Sequence, residues 1–344
     1  WRQRLGAHLD WPRNRALLHF LLSNFPGRVD FSGFLSPAHA RTLADWQRRY
    51  VQDLLTQADV LSRKLGQGRG HVWAAIGVDN LPCPMGCSFC GHAARWQASA
   101  DEVRLSVDEV AAAAEAAAEG GADFIVLRTT QFYGLDRLAV LGTTVRRRIG
   151  DGPRLVVNTG ECTRDEVKAL LDAGFTTAYH VVRLREGVDT SHTIEMRLRS
   201  IAAVLEAGME LMYLIEPLGP EHRPDEILAE AARARSLGAI GTGVMARVPV
   251  LGTPLAHLGQ VGEAYLRRVA AVARLAYHDG GPFCCVHPPT LSALTCGCNT
   301  VVVEQGANPR SSSISAGPWR GFDLAAARQA LQAAGLTVRR ARRD

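Results

Sequence analysis

The sequence predicts an α/β fold, a closed (β/α)8 barrel of the TIM type preceded by an N-terminal helical extension. Apolar segments alternate with helical segments eight times between residues 72 and 334, an order typical of a parallel sheet covered by helices. Five of the helical segments end at a glycine, the residue that closes a helix in a left-handed conformation. Eight such units in about 265 residues favour the barrel over the alternative, an open doubly wound sheet.

The elements follow one another along the chain in a simple order. Helical patterns at 15–22 and from Ser36-Pro37 to about Lys64 predict an N-terminal helical extension over 1–66, because proline fits the first turn of a helix. A glycine-rich linker then opens the barrel, 67–322, and a helix with a basic tail fills 323–344. The predicted strands are 72–78, 124–130, 155–159, 177–184, 210–216, 243–250, 283–286 and 300–304. The predicted helices are 107–119, 135–148, 164–173, 192–207, 224–237, 261–278, 290–296 and 323–334.

Composition excludes several classes of protein. The 344 residues carry a net charge of +5, and no apolar window is long enough to cross a bilayer. The basic start of the chain lacks the apolar core of a secretory signal, so we expect a cytoplasmic protein without membrane contact. Arginines cluster at 146–148 and 339–343, but no aromatic residues interleave them, which favours solvated surfaces over nucleic-acid binding.

Three of the eight cysteines lie within eight residues, at Cys83, Cys87 and Cys90. Without a secretion signal, such a cluster favours a metal site over disulfides. A structural zinc site is one interpretation, with His92 as the fourth ligand. The other is a 4Fe–4S cluster, because three thiolates hold three irons of the cube and leave the fourth iron open to a small molecule.

The segment Cys83-Pro84-Met85-Gly86-Cys87-Ser88-Phe89-Cys90, directly after the first strand, resembles the signature of the radical S-adenosylmethionine superfamily. Phe89 matches its aromatic position. The resemblance implies that the open iron binds the amino and carboxylate groups of S-adenosylmethionine, and that reductive cleavage gives a 5′-deoxyadenosyl radical that abstracts hydrogen from a substrate. It also implies a reductant such as flavodoxin or ferredoxin. Three later segments are similar to the branch of biotin synthase, methylornithine synthase and the iron-only hydrogenase maturase: 215–222, 247–255 and 296–300.

The same resemblance implies roles for residues around the cofactor. Arg197, eleven residues before Gly208, matches the arginine that grips the carboxylate of S-adenosylmethionine, a task suited to a guanidinium. Glu186 resembles the acidic residue that binds the ribose, although Arg183 or Asp189 are alternatives. Ile215 matches an apolar position that packs on the adenine, with ordinary barrel core as the alternative.

The second predicted strand departs from the family pattern. Many relatives have a Gly-Gly-Glu-like stretch there that holds the amino group of the cofactor, whereas this chain has Leu127-Arg128-Thr129-Thr130-Gln131. The threonine hydroxyls or the Gln131 carbonyl are suited to accept hydrogen bonds from an ammonium group. Gln131 is therefore a candidate cofactor ligand.

Polar residues follow several predicted strands, where a purely structural barrel would have aliphatic ones. They predict a small polar substrate, an amino acid or its derivative, with Arg247 as the cation for its carboxylate. Carbon-skeleton rearrangement is the favoured reaction. Arg247, His287 and Cys285 are the candidate catalytic residues, Cys285 as a hydrogen-donating thiol. The candidate substrate-binding residues are Tyr133, Asn158, His180 and Arg247.

Two alternative functions stay open. Biotin synthase needs a second iron–sulfur cluster held by cysteines on strands two, three and five, and this chain has none there. Sulfur insertion would therefore require a second cluster at Cys284, Cys285, Cys296 or Cys298, which otherwise behave as buried apolar residues. The other alternative is an iron–sulfur or zinc scaffold without radical chemistry.

Overall fold

The computed structural model describes residues 15–16, 18–19, 22–23, 37–96, 102–310 and 317–341. These residues contain nine strands in a single parallel sheet. In chain order they are β1 (His71–Gly77), β2 (Phe124–Arg128), β3 (Arg154–Asn158), β4 (Thr177–Tyr179), β5 (Glu210–Met212), β6 (Ile215–Leu218), β7 (Gly241–Ala246), β8 (Phe283–His287) and β9 (Thr300–Gly306).

The sheet closes on itself. Its order is β5-β4-β3-β2-β1-β9-β8-β7-β6, and a pairing of Met212 with Gly241 joins β5 to β7. Strands β5 and β6 are two halves of one barrel strand, interrupted at residues 213–214. The result is an eight-stranded parallel barrel, so the barrel prediction is confirmed and the open sheet is excluded.

Helices cover the outside of the barrel. They are α1 (Pro37–Leu65), α2 (Val107–Glu119), α3 (Leu135–Ile149), α4 (Arg164–Asp172), α5 (Ile194–Glu206), α6 (Pro224–Ser236), α7 (Glu263–Ala276) and α8 (Leu324–Ala333). The predicted helix at 290–296 is instead a short 3-10 turn, Leu291–Thr295. Helix α1 packs on α7 with Leu55 and Ala58 fully buried, so the N-terminal helix is part of the same core.

Local sequence fixes where two of these helices begin. Ser106 and Thr163 precede α2 and α4, and each hydroxyl accepts a hydrogen bond from the backbone NH three residues on. The carboxylates of Glu109 and Glu166 accept the return bonds from the Ser106 and Thr163 backbone NH groups. These reciprocal bonds satisfy NH groups that a helix start otherwise leaves unpaired.

Aromatic side chains fill the lower barrel. Phe124 stands at the centre, with its ring centroid 4.9 Å from Phe283 and 5.8 Å from Trp73. The His71 ring lies 4.8 Å from Phe283. This layer lies at the N-terminal side of the barrel, and the cavity lined by the inward-facing residues lies toward the carboxyl ends of the strands, where barrel chemistry is placed.

Some expectations concern parts of the chain outside the described residues. These are the Ser36 cap, most of the 1–36 segment and the end of the arginine-rich tail, 342–344. The division at residues 66 and 322 stays a prediction. Among the described helices, none is long and apolar enough to cross a membrane.

Candidate active site

One large cavity lies at the carboxyl ends of the barrel strands, with about 1350 Å³ of empty space that opens to solvent. Its walls combine residues from most of the strands with the loop that follows β1. Eight residues expected at a site line it together: Cys83, Cys87, Phe89, Cys90, Gln131, Asn158, Arg197 and Arg247.

The cysteine loop is held in place by its backbone. The Cys83 NH donates to the His92 carbonyl at 2.7 Å, and the Cys90 NH donates to the Cys87 carbonyl at 3.1 Å. Gly86 adopts a left-handed φ of +58° between the first two cysteines, a conformation that glycine takes without strain. The Trp96 indole NH donates to the Cys87 carbonyl at 3.2 Å. These bonds fix the backbone of the loop, and all three cysteines line the cavity.

The thiols are suited to a metal cluster. Burial, together with the neighbouring Cys87 thiol, raises the pKa of the Cys90 thiol to about 12. Burial likewise raises the pKa of Cys87. Buried thiols stay protonated at neutral pH unless a metal replaces the proton. Three thiols on one loop beside an open cavity fit a cluster with one iron left for a ligand, and His92 also lines the cavity.

Arg197 stands at the centre of a buried ion-pair network. Its side chain is 3% exposed, with Nη1 2.9 Å from Glu161 and Nε 3.2 Å from Glu186. Gln131 donates to Glu161, and His192 Nδ1 lies 3.1 Å from it. Burial, with the charge of Arg183, lowers the pKa of Arg197 to about 10. Its Nη2 has no hydrogen-bond partner among the described residues.

Glu186 and Ile215 do not line the cavity, and their expected contacts with the cofactor stay predictions. The Glu186 carboxylate is fully buried and already accepts hydrogen bonds from Thr190, from the Arg183 NH and from Arg197. Strand alternation turns Ile215 toward the helices, while Leu214 faces the cavity in its place. Arg183, the alternative to Glu186, does line the cavity, and its Nη1 is buried without a hydrogen-bond partner in the described structure.

Arg247 reaches the cavity, but it is not a free cation. Both its terminal nitrogens bind the carboxylate of Glu221, Nη2 at 2.9 Å and Nη1 closer still. The Arg247 side chain is 2% exposed and that of Glu221 is 16% exposed. A bidentate pair of this kind balances the charge of the guanidinium, so the expected cation for a substrate carboxylate is already neutralised.

Three further expected residues lie outside the cavity lining. His180 faces a small space beneath α5, next to Cys162, and burial lowers its pKa to about 3. Tyr133 is 6% exposed, with the Arg104 guanidinium over its ring. His287 is fully buried behind Glu304, with its Nε2 3.1 Å from that carboxylate.

A charged cluster that the sequence did not single out also lines the cavity. Glu304, the last inward-facing residue of β9, accepts hydrogen bonds from Arg128 on β2 and from Arg310. Burial alone would raise the pKa of Glu304, but Arg310, His287 and Arg128 hold it well below its usual value. Strand alternation was a usable signal for Glu304 and Arg128, because both fall on the inward face at a strand end.

The remaining cysteines lie away from the cavity. Cys284 and Cys285 point to opposite sides of β8, as alternation predicts. Cys284 faces Cys298, with their sulfur atoms 3.8 Å apart, while Cys285 is buried in the barrel interior near Tyr179. Among the described lining residues, the cysteines are Cys83, Cys87 and Cys90.

Known proteins are similar to this chain in sequence and in fold. The chain is 28% identical over 237 residues to a biotin synthase of Anaeromyxobacter sp. (strain K), an alignment that covers 65% of this chain and 64% of that protein. A biotin synthase of Thermus thermophilus is 30% identical over 182 residues, 50% of this chain and 54% of that protein. The chain thus spans less than two thirds of the length of these relatives. No family model matches the sequence.

Among solved structures, methylornithine synthase (PylB) shares the fold with a TM-score of 0.72 at 15% identity, covering 95% of this chain and 94% of that one. The [FeFe]-hydrogenase maturase HydG from Carboxydothermus hydrogenoformans gives a TM-score of 0.63 at 17% identity, covering 78% of this chain and 66% of that one. The chain is therefore similar in sequence to biotin synthases and similar in fold to PylB and HydG. This likeness agrees with the branch of the radical S-adenosylmethionine superfamily that the motifs predicted.

Proposed function

We propose that this protein is a radical S-adenosylmethionine enzyme that abstracts hydrogen from a small polar substrate in the barrel cavity. The observation that carries the proposal is the cysteine loop: Cys83, Cys87 and Cys90 line the same cavity as Arg183 and Arg197. These three thiols would hold a 4Fe–4S cluster. When bound, the cluster supplies the electron that cleaves S-adenosylmethionine to a 5′-deoxyadenosyl radical.

The residues next to the cysteine loop are suited to bind the cofactor. Arg197 Nη2 and Arg183 Nη1 are buried donors without a hydrogen-bond partner among the described groups. Leaving such donors unpaired costs free energy that an incoming carboxylate recovers. Arg183 also lies near the Cys87 thiol. We therefore assign the carboxylate of S-adenosylmethionine to these two arginines.

Gln131 has a fixed orientation in this site. Its Nε2 donates to Glu161, which leaves its carbonyl oxygen free to accept a hydrogen bond from an ammonium group. Glu161 also pairs with Arg197, so one carboxylate orients both proposed cofactor ligands. Glu186 and Glu161 act as positioning residues, because they hold the guanidinium of Arg197 rather than the cofactor.

The proposed substrate is an amino acid or its derivative, with carbon-skeleton rearrangement as the favoured reaction. The cavity walls above the aromatic floor carry Asn158 and Glu216, which supply an amide and a carboxylate for polar groups of a substrate. Sulfur insertion at a second cluster has less support, because Cys284, Cys285, Cys296 and Cys298 are outside the lining. A flavodoxin or ferredoxin is the proposed reductant.

Metal analysis after anaerobic reconstitution tests the proposal. We expect about four irons per chain, and an electron paramagnetic resonance signal of the reduced protein that changes when S-adenosylmethionine is added. Single Ala substitutions at Cys83, Cys87 and Cys90 should each remove the cluster. Cys296→Ala is the matched control, since that thiol is buried away from the cavity.

Other outcomes would redirect the interpretation. Zinc uptake without iron would support the scaffold alternative and contradict the proposal. About eight irons, falling to four in the Cys284→Ala or Cys298→Ala variant, would support the two-cluster alternative. An unchanged spectrum on addition of S-adenosylmethionine would show that no iron is open to it.

A further inference from the structure

We propose that Arg128 and Arg310 form the site that binds the carboxylate of the substrate. Both line the cavity, and neither belongs to the cysteine loop or to the Arg197 network. This inference rests on the proposed function, because it assumes that the cavity binds a substrate. Its test measures the binding of amino acids rather than the cleavage of the cofactor, so this inference and the proposed function can fail separately.

The two arginines are brought together by Glu304. One oxygen of its carboxylate accepts hydrogen bonds from Arg128 Nη1 and from Arg310 Nη2. The other accepts from Asn308 Nδ2 at 2.9 Å and lies 3.1 Å from His287 Nε2. Both guanidiniums have side chains only 13% exposed. The cluster is therefore a fixed and largely desolvated part of the cavity wall.

The cluster carries an uncompensated positive charge. Two guanidiniums face the single carboxylate of Glu304, and burial lowers the pKa of His287, which disfavours a third positive charge there. One buried positive charge is left over, and a monoanionic ligand would neutralise it. A carboxylate also matches the planar fork of a guanidinium.

Arg310 offers an open donor. Its Nη1 lies 3.4 Å from Met245 Sδ, a weak acceptor, and its Nε is buried with no hydrogen-bond partner among the described residues. The Trp319 ring lies 5.8 Å from the guanidinium carbon of Arg310 and holds it from one side. A buried unpaired donor is costly unless a ligand completes it.

The other arginines in the cavity are less suited to the task. Arg247 is neutralised by the bidentate contact with Glu221. Arg197 is flanked by Glu161 and Glu186, and Arg183 lies near Cys87, where we place the cofactor. Among the described cavity arginines, Arg128 and Arg310 share one carboxylate and lie outside the Arg197 network, although Arg128 is near enough to Cys90 to interact with its charge.

The location also fits a substrate that must meet the reacting centre. The Gly91 NH, next to Cys90, donates to the Pro309 carbonyl at 2.8 Å. This bond ties the cysteine loop to the residue that precedes Arg310. A carboxylate on Arg128 and Arg310 would therefore place the rest of the substrate beside the cysteine loop.

The test measures the binding of each common L-amino acid and of its α-carboxamide, which differ only in the carboxylate. Isothermal titration is run on the protein before and after cluster reconstitution. We expect at least one amino acid to bind, with its amide about thirtyfold weaker or more. Arg128→Met and Arg310→Met should each weaken the acid by a similar factor and remove the preference for acid over amide.

Glu304→Gln distinguishes carboxylate binding by the two arginines from a purely structural role of the cluster, because only the former predicts tighter binding of the amino acid. It keeps the shape of the side chain but removes the negative charge, so the acid should bind tighter, about tenfold. Arg310→Lys keeps the charge and should retain part of the affinity. Arg147→Met removes an exposed arginine and is the matched control. Circular dichroism checks that each variant folds.

Several results would overturn the inference. One is equal binding of acid and amide by the wild type, and another is the absence of binding by every probe. A third is a loss of affinity for the amino acid in Arg247→Met with no loss in Arg128→Met or Arg310→Met. That result would assign the binding of the substrate carboxylate to Arg247. Iron uptake and the response of the cluster to S-adenosylmethionine are measured independently, and they test the proposed function.

Discussion

Replacing Arg197 with Met should both destabilise the fold and weaken cofactor binding. The guanidinium is 3% exposed and lies between Glu161 and Glu186, whose side chains are 19% and 0% exposed. Removing one partner of a buried charge network costs about 3–5 kcal/mol. At about 2.1 cal/mol/K per residue, the 344 residues give an unfolding entropy of about 0.7 kcal/mol/K. The melting temperature should therefore fall by about 4–7 °C.

A second variant separates stability from binding. In Arg197→Met/Glu186→Gln, the carboxylate left unpaired by the first change is neutral, and most of the lost stability should return. The affinity for S-adenosylmethionine should stay about thirtyfold or more below that of the wild type in both variants, because both lack the guanidinium. Thermal unfolding followed by circular dichroism gives the stability, and titration of the reconstituted protein gives the affinity.

Two results would refute this reasoning. A change in unfolding free energy below about 0.5 kcal/mol, typical of surface substitutions, would show that Arg197 is not the charge that balances the buried carboxylates. Recovery of cofactor affinity together with stability in the double variant would show that Arg197 acts only through the fold.

Other predictions concern stability. The pKa of Glu161 is held below its usual value, because His192 and Arg197 outweigh the effect of burial. The contribution of Glu161 to the stability of the fold is therefore full above about pH 4.5 and is lost as the pH falls below that value. In acid titrations, Glu161→Gln should flatten the loss of stability between about pH 5 and 3. Gly77→Ala would place a Cβ 1.7 Å from the Ala307 carbonyl oxygen. It should lower the free energy of unfolding, measured by urea titration, by far more than the roughly 1 kcal/mol of a typical substitution. An unchanged urea midpoint would contradict this packing. Ser106→Ala removes a helix cap and should cost about 1 kcal/mol, measured by the same unfolding experiment.

The barrel was predictable because its signals are local. Strand and helix patterns, and glycines such as Gly174 and Gly208 with left-handed φ, depend on short segments of sequence. Strand ends were less predictable. The predicted strand at 177–184 stops at Tyr179, because the Val182 NH donates to the Tyr213 hydroxyl instead of a backbone carbonyl of the neighbouring strand.

The sequence predicted which residues lie together in the site only where one short segment contains all of them. The three cysteines lie on one loop, so their shared position followed from the sequence. The cluster at Glu304 joins Arg128, 176 residues away, to Arg310, six residues away, and only the closed barrel brings them together. Likewise, nothing near Arg247 in sequence shows that Glu221, 26 residues earlier, neutralises its charge.

The formation of 5′-deoxyadenosine tests the central claim most directly. The reconstituted protein is incubated anaerobically with S-adenosylmethionine and a reductant, and the product is measured by mass spectrometry beside the Cys90→Ala and Cys296→Ala variants. The account predicts 5′-deoxyadenosine from the wild type and from Cys296→Ala, and none from Cys90→Ala. Its formation by Cys90→Ala at the wild-type rate, or its absence from an iron-loaded wild type, would contradict the assignment of radical chemistry to this cysteine loop.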